Sequence, residues 1–146
     1  MRLHADRLLG AALSLTLLGC STALTGGVPI ASTEWGEYSL LVRDLSGIVT
    51  EVRGVQGPPG GPDGAIADPE RLEIRVAWTG GACSHQPVLV VVGSARDLIL
   101  AISNPHDPQL LPFLPVSCPA VGIPLQAVVA LNEPVAQDAI DFTVTY

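Results

Sequence analysis

The chain has 146 residues, with 7 basic against 14 acidic side chains, and 48 % of it is hydrophobic. That length holds one domain, and the supply of Val, Leu, Ile and Ala excludes a largely disordered polymer. Every basic residue is an arginine and the arginines are scattered along the sequence, so neither nucleic acid nor an anionic lipid surface is expected as a charge-driven partner.

The first element is a leader. Arg2 and Arg7 precede the apolar run at residues 8–18, LLGAALSLTLL. Such a run fits a signal-peptide core and is far shorter than the ~20 apolar residues of a membrane-spanning helix. It ends in Leu17-Leu18-Gly19-Cys20, which resembles the lipobox of bacterial lipoproteins. The resemblance covers the first 20 residues or so. It implies a signal peptide at 1–19, removed on export, and a diacylglyceryl (palmitate-type) group on Cys20. A cysteine suits thioether formation because its thiolate is a good nucleophile, and each buried CH₂ of an acyl chain contributes roughly 0.8 kcal/mol to holding the membrane. The implied location is the cell envelope. Ser21, a non-aspartate after the cysteine, implies the outer membrane where there are two membranes, and otherwise the outer face of the plasma membrane.

Without Arg2, Arg7 and Asp6 the 7 basic and 14 acidic residues become 5 and 13, a net charge of −8. Residues 21–33, STALTGGVPIAST, are small and interrupted by Gly26, Gly27 and Pro29, so 20–33 is expected to be a flexible tether and 34–146 the folded domain.

From Tyr38 onward the apolar period is two. Residues 71–78 place Leu72, Ile74, Val76 and Trp78 on one face and Arg71, Glu73 and Arg75 on the other. Residues 140–146 repeat this with Ile140, Phe142, Val144 and Tyr146. Both read as half-buried strands in an antiparallel setting, with Leu72 to Trp78, Phe142 and Val144 in the core. Residues 38–44 and 48–53 read as one hairpin across Leu45-Ser46-Gly47. Residues 87–93 and 97–103 read as another, its VLVVV segment apolar on both faces like a central strand. Residues 123–131 form a further run whose second half also fits a short helix. The proline-rich stretches 57–64 and 104–119 read as connections, the second crossing between sheets. The result is an all-β fold, an antiparallel β-sandwich of about seven strands, immunoglobulin-like in architecture only, since no tryptophan lies between the two distal cysteines.

With Cys20 assigned to the lipid, Cys83 and Cys118 remain as a pair. Outside the cytoplasm such a pair oxidises, and closing its loop of about 36 residues is worth roughly 3–4 kcal/mol in the chain-entropy model.

Signals for chemistry are sparse. No Gly-x-Ser-x-Gly elbow occurs, the glycines at 60 and 61 lack the lysine and helix of a phosphate loop, and no carboxylate pair stands out by spacing. No catalytic residue and no cofactor is expected. Bridging of 83 to 118 would draw His85 towards His106 and Asp107, a ligand set suited to zinc or copper. Trp35 and Tyr38 are the aromatics nearest the tether and candidates for a contact patch, although Tyr38 on a strand is expected to pack inward and Trp35 to cover the sandwich end. The leading expectation is therefore a lipid-anchored envelope protein with a non-catalytic binding or structural role. Its partner would be another envelope protein or a wall polymer. An envelope metal-binding domain is second, and a small hydrolase or protease-inhibitor-like domain third.

Overall fold

The structure is a computed structural model, and it describes residues 27–55, 62–107 and 117–146. The leader, Cys20, Ser21 and most of the tether, like the glycine–proline turn at 57–61 and the middle of the long proline-rich connection, lie outside the described residues.

Among the described residues nine strands form two sheets packed face to face, the all-β sandwich that the alternation predicts. They are β1 (Val28–Thr33), β2 (Gly36–Leu45), β3 (Val49–Gly54), β4 (Gly64–Asp68), β5 (Glu73–Gly81), β6 (Val88–Ser94), β7 (Asp97–Ser103), β8 (Gly122–Leu131) and β9 (Ile140–Thr145). One sheet has the order β1-β2-β6-β7-β9 and the other β3-β8-β5-β4. Among the described residues no helix is long and apolar enough to cross a membrane.

The core lies where the periodicity puts it. Ile74, Val76 and Trp78 are buried on β5 and Leu125, Ala127 and Val129 on β8. Leu89, Val91, Leu98, Leu100 and Ile102 answer them from β6 and β7. Phe142 and Val144 pack against this core half-buried, because β9 is an edge strand. Arg71 and Arg75 face solvent, whereas Glu73 is half-buried beside Arg53, with which it forms an ion pair. Residues 123–131 are strand throughout, paired on both sides along β8.

Four expectations change. First, residues 28–33 are not tether but strand. β1 pairs with β2 and buries Ile30 at 2 % exposure. Pro29 is tolerated because β1 is an edge strand, where a missing N–H disturbs no second partner. The folded domain therefore begins near Val28, not at 34. Second, β2 and β3 are not a hairpin, for they belong to different sheets. Asp44 takes a left-handed φ of 50°, and the Ser46 N–H donates to the Val91 carbonyl at 2.6 Å before the chain turns over to β8, where the Asn132 N–H reaches the Ile48 carbonyl at 2.9 Å. Third, the C-terminal strand is parallel to its neighbour β7, and β2 is parallel to β6, so the five-stranded sheet is mixed. Fourth, β1 and β4 raise the strand count from about seven to nine, and residues 71 and 72 precede β5, Leu72 with a φ of 56°.

The hairpin β6–β7 forms as expected, with Val88 to Ser94 paired to Ser103 to Asp97. The proline-rich connection leaves β7 in one sheet and returns as β8 in the other. Two devices close the sandwich sides. Gly54 on β3 lies so near β1 that an added Cβ would stand 1.9 Å from the Pro29 carbonyl oxygen, a contact only glycine allows. On the other side, the Gln137 side chain accepts from the Ala67 N–H at 2.8 Å and donates to the Ala65 carbonyl at 2.9 Å. Its amide thus occupies part of the free edge of β4, which blunts edge-to-edge pairing.

Candidate functional site

One end of the sandwich gathers the β1–β2 turn, the segment between β5 and β6, and both ends of the β7–β8 connection. The Cys83–Cys118 disulfide joins the last two, with Cα atoms 5.7 Å apart and a sequence separation of 35. The Asp107 N–H donates to the Cys83 carbonyl at 2.8 Å, so the start of the connection is tied beside the bridge as well.

His85 sits at the centre of this end. Its backbone N–H donates to Asp107 Oδ1 at 3.0 Å, and its carbonyl accepts from the Ser39 N–H of β2 at 2.9 Å. Its ring Nδ1 is bonded to Asp107 Oδ2, and its Nε2 to the Trp35 carbonyl at 2.6 Å. The buried Tyr38 ring packs against the imidazole with centroids 4.8 Å apart, and its hydroxyl lies 3.4 Å from the Gly81 and Ala82 carbonyls. Gly36 makes room for the ring. It holds a φ of +125°, and a Cβ there would meet His85 Nε2 at 2.9 Å, so a side chain is refused by both backbone and space.

A carboxylate and a carbonyl only accept hydrogen bonds. A neutral imidazole can donate to one of them, and the imidazolium donates to both. The hydrogen bond that the His85 ring donates to Asp107 is the main reason that the His85 pKa is raised above its ordinary 6.5, with the Trp35 carbonyl adding to it and burial opposing it. Burial, and then the Asp107 charge, push the Tyr38 hydroxyl pKa up too. Because the folded pKa of His85 exceeds the unfolded one, its contribution to stability is fully present below pH 6.5 and is lost as pH rises through the folded value. Urea unfolding of the full chain across pH 5–9 should show this loss, and Asp107→Asn should flatten it. An unchanged pH dependence in Asp107→Asn would remove the imidazolium from the account.

The structure therefore brings together Trp35, Tyr38, His85 and Asp107, which the sequence offers as two separate candidates. Tyr38 packs inward, and Trp35 stays 39 % exposed on its turn. His106 is exposed and does not join them in a metal-sized group: among the described residues no three His, Cys, Asp or Glu side chains stand close enough to hold an ion. Both nitrogens of His85 are occupied by protein.

A second feature escapes sequence reasoning. The outer face of the four-stranded sheet carries a trough of about 220 Å³ lined by Arg53, Arg71, Glu73, Arg75 and Gln126 among others. Arginines that are scattered in sequence are neighbours in space, because β3 and β5 both flank β8, with Arg53 and Arg75 each in register with Val128. The alternation Arg71, Glu73, Arg75 hints at one shared face; the arrival of Arg53 depends on strand order.

Comparison of the chain with protein-family models, with curated proteins and with solved structures finds no match.

Proposed function

We propose that this is a lipid-anchored protein of the bacterial cell envelope that acts by contact, with another envelope protein or a wall polymer as partner. The observation that carries the reading is the tie at His85. The side chains best suited to chemistry are used to fix a turn that presents Trp35, and tryptophan is a common anchor of contact surfaces. The route of the chain supports it. β1 runs towards the Trp35 turn, so its first residue, Val28, lies at the other end of the sandwich from Trp35. With β1 inside the domain, residues 21–27 are all that separates Cys20 from the first strand in sequence. An anchor there would hold the Trp35 end outward, away from the lipid.

Two measurements test this. Cys20→Ala should leave an unprocessed precursor, while the unchanged chain from the membrane fraction should carry acyl mass on a leaderless N-terminus, read by intact-mass spectrometry. A chain free of the membrane with an unmodified Cys20 thiol overturns the anchor. A photo-reactive residue at position 35 in intact cells should trap one discrete partner. The same probe at Arg96, on the turn between β6 and β7, should not. Equal trapping at both positions overturns the contact end.

A further inference from the structure

We propose that the arginine-lined trough on the outer face of the four-stranded sheet is a binding site for a small carboxylate, of the size of one sugar acid or amino acid. The inference goes beyond the contact reading and does not depend on the lipid anchor.

The first ground is charge. The domain carries 5 arginines against 13 carboxylates once the leader is set aside, yet three of the five line this one trough, with Glu73 the single carboxylate among the lining residues. The second is how the three are held. Arg53 is ion-paired to Glu73, and Arg71 Nε stands 3.7 Å from Asp68 Oδ2. These partners fix two guanidinium groups on the trough wall. Arg75 is exposed, sits across Val128 from Arg53 and two residues beyond Glu73 on β5, and has no carboxylate partner among the described residues. Its planar fork is the one open to an incoming anion.

The third ground is shape. Val128 faces outward in the row between Arg53 and Arg75 and is nevertheless only 4 % exposed, so the flanking arginine stems cover it and form the walls of a depression. A volume of about 220 Å³ falls below the ~300–1,000 Å³ of sites for drug-sized ligands, and suits a single residue-sized unit. Arg53 already faces Glu73 and Glu51, and Arg71 faces Asp68, so Arg75 is the guanidinium left to meet a carboxylate, one charge against one. Guanidinium pairs with carboxylate in a planar, bidentate geometry that a lysine cannot reproduce.

The test uses the full chain purified in detergent, titrated separately with galacturonate, glutamate and inorganic phosphate and followed by calorimetry or by amide shifts on β5 and β8. Saturable binding of one or both carboxylates is expected, weakened by added salt. Galacturonate alone would point to a glycan as the source of the carboxylate and glutamate alone to a peptide. Arg75→Gln, an exposed substitution that keeps the strand intact, should weaken binding about tenfold, the scale of one charged hydrogen bond. Arg96→Gln, remote from the trough, should leave it unchanged. Absence of carboxylate binding, equal affinity in Arg75→Gln, or tighter binding of phosphate than of either carboxylate overturns the proposal. None of these outcomes touches position 35, so failure here is separable from failure of the contact reading.

Discussion

Trp78→Ala is expected to lower the stability of the domain by about 3–5 kcal/mol, the usual range for deleting a buried aromatic. Trp78 is 1 % exposed on β5, at the seam of the two sheets, and it does more than fill volume. Its indole N–H donates to Asn104 Oδ1 at 3.2 Å. Asn104 is itself 4 % exposed, and its backbone N–H reaches the Thr145 carbonyl on β9 at 3.0 Å. Alanine would leave both a cavity and a buried amide oxygen without its donor. Trp78→Phe separates the two effects, since it keeps most of the volume and removes the donor. A smaller loss of about 1–3 kcal/mol is expected there. Urea unfolding monitored by circular dichroism measures both. Against a total stability of about 5–15 kcal/mol for an ordinary domain, the alanine variant would be marginal. A loss below about 1 kcal/mol would mean that Trp78 is not the centre of the core.

Trp78 was legible from its sequence because alternation is a local signal. Ile74, Val76 and Trp78 follow each other at a spacing of two, and a strand in a two-layer fold must bury that face. The β6–β7 hairpin was equally local, with complementary runs on either side of a short turn. Pairing that depends on distant segments was not. Period-two patterning is the same in parallel and antiparallel strands, so nothing in Ile140 to Val144 announced that β9 runs parallel to β7. The tether-like composition of residues 28–33 hid β1, since an edge strand accepts proline and small residues that a central strand would reject. With β1 hidden, β2 lacked its true neighbour, and the nearest run, β3, became a false partner.

The candidate site divides in the same way. The proximity of His85 and Asp107 followed from one covalent constraint, because a bridge from 83 to 118 draws their neighbourhoods together. That Trp35 and Tyr38 would meet the same histidine was not legible, because it needs β1 and β2 to place their turn beside residue 85. The arginine trough lies at the far limit, assembled from two strands that never pair with each other and meet only through β8.

Removal of the disulfide, by reduction or by Cys83→Ser with Cys118→Ser, is expected to cost about 3–4 kcal/mol and to loosen His85 as well. The first part is chain entropy. The bridge closes a loop with 35 residues of sequence separation, and the unfolded chain regains that freedom once it is cut. The Cα separation of 5.7 Å lies inside the ordinary range for a bridge, so the folded form needs no rearrangement to hold it. The second part is connectivity. The Asp107 N–H is bonded to the Cys83 carbonyl, and Asp107 in turn binds the His85 ring. A connection freed at Cys118 leaves Asp107 held by those bonds alone. The stability losses of the double-serine variant and of Asp107→Asn should therefore fall short of additive when combined, as is usual for groups that share partners. The pH dependence assigned to His85 should also shrink in the double-serine chain. Additive losses, with the His85 pH dependence intact, would mean that the bridge and the histidine tie are independent and that the turn carrying Trp35 is fixed by β1 and β2 without help from the disulfide.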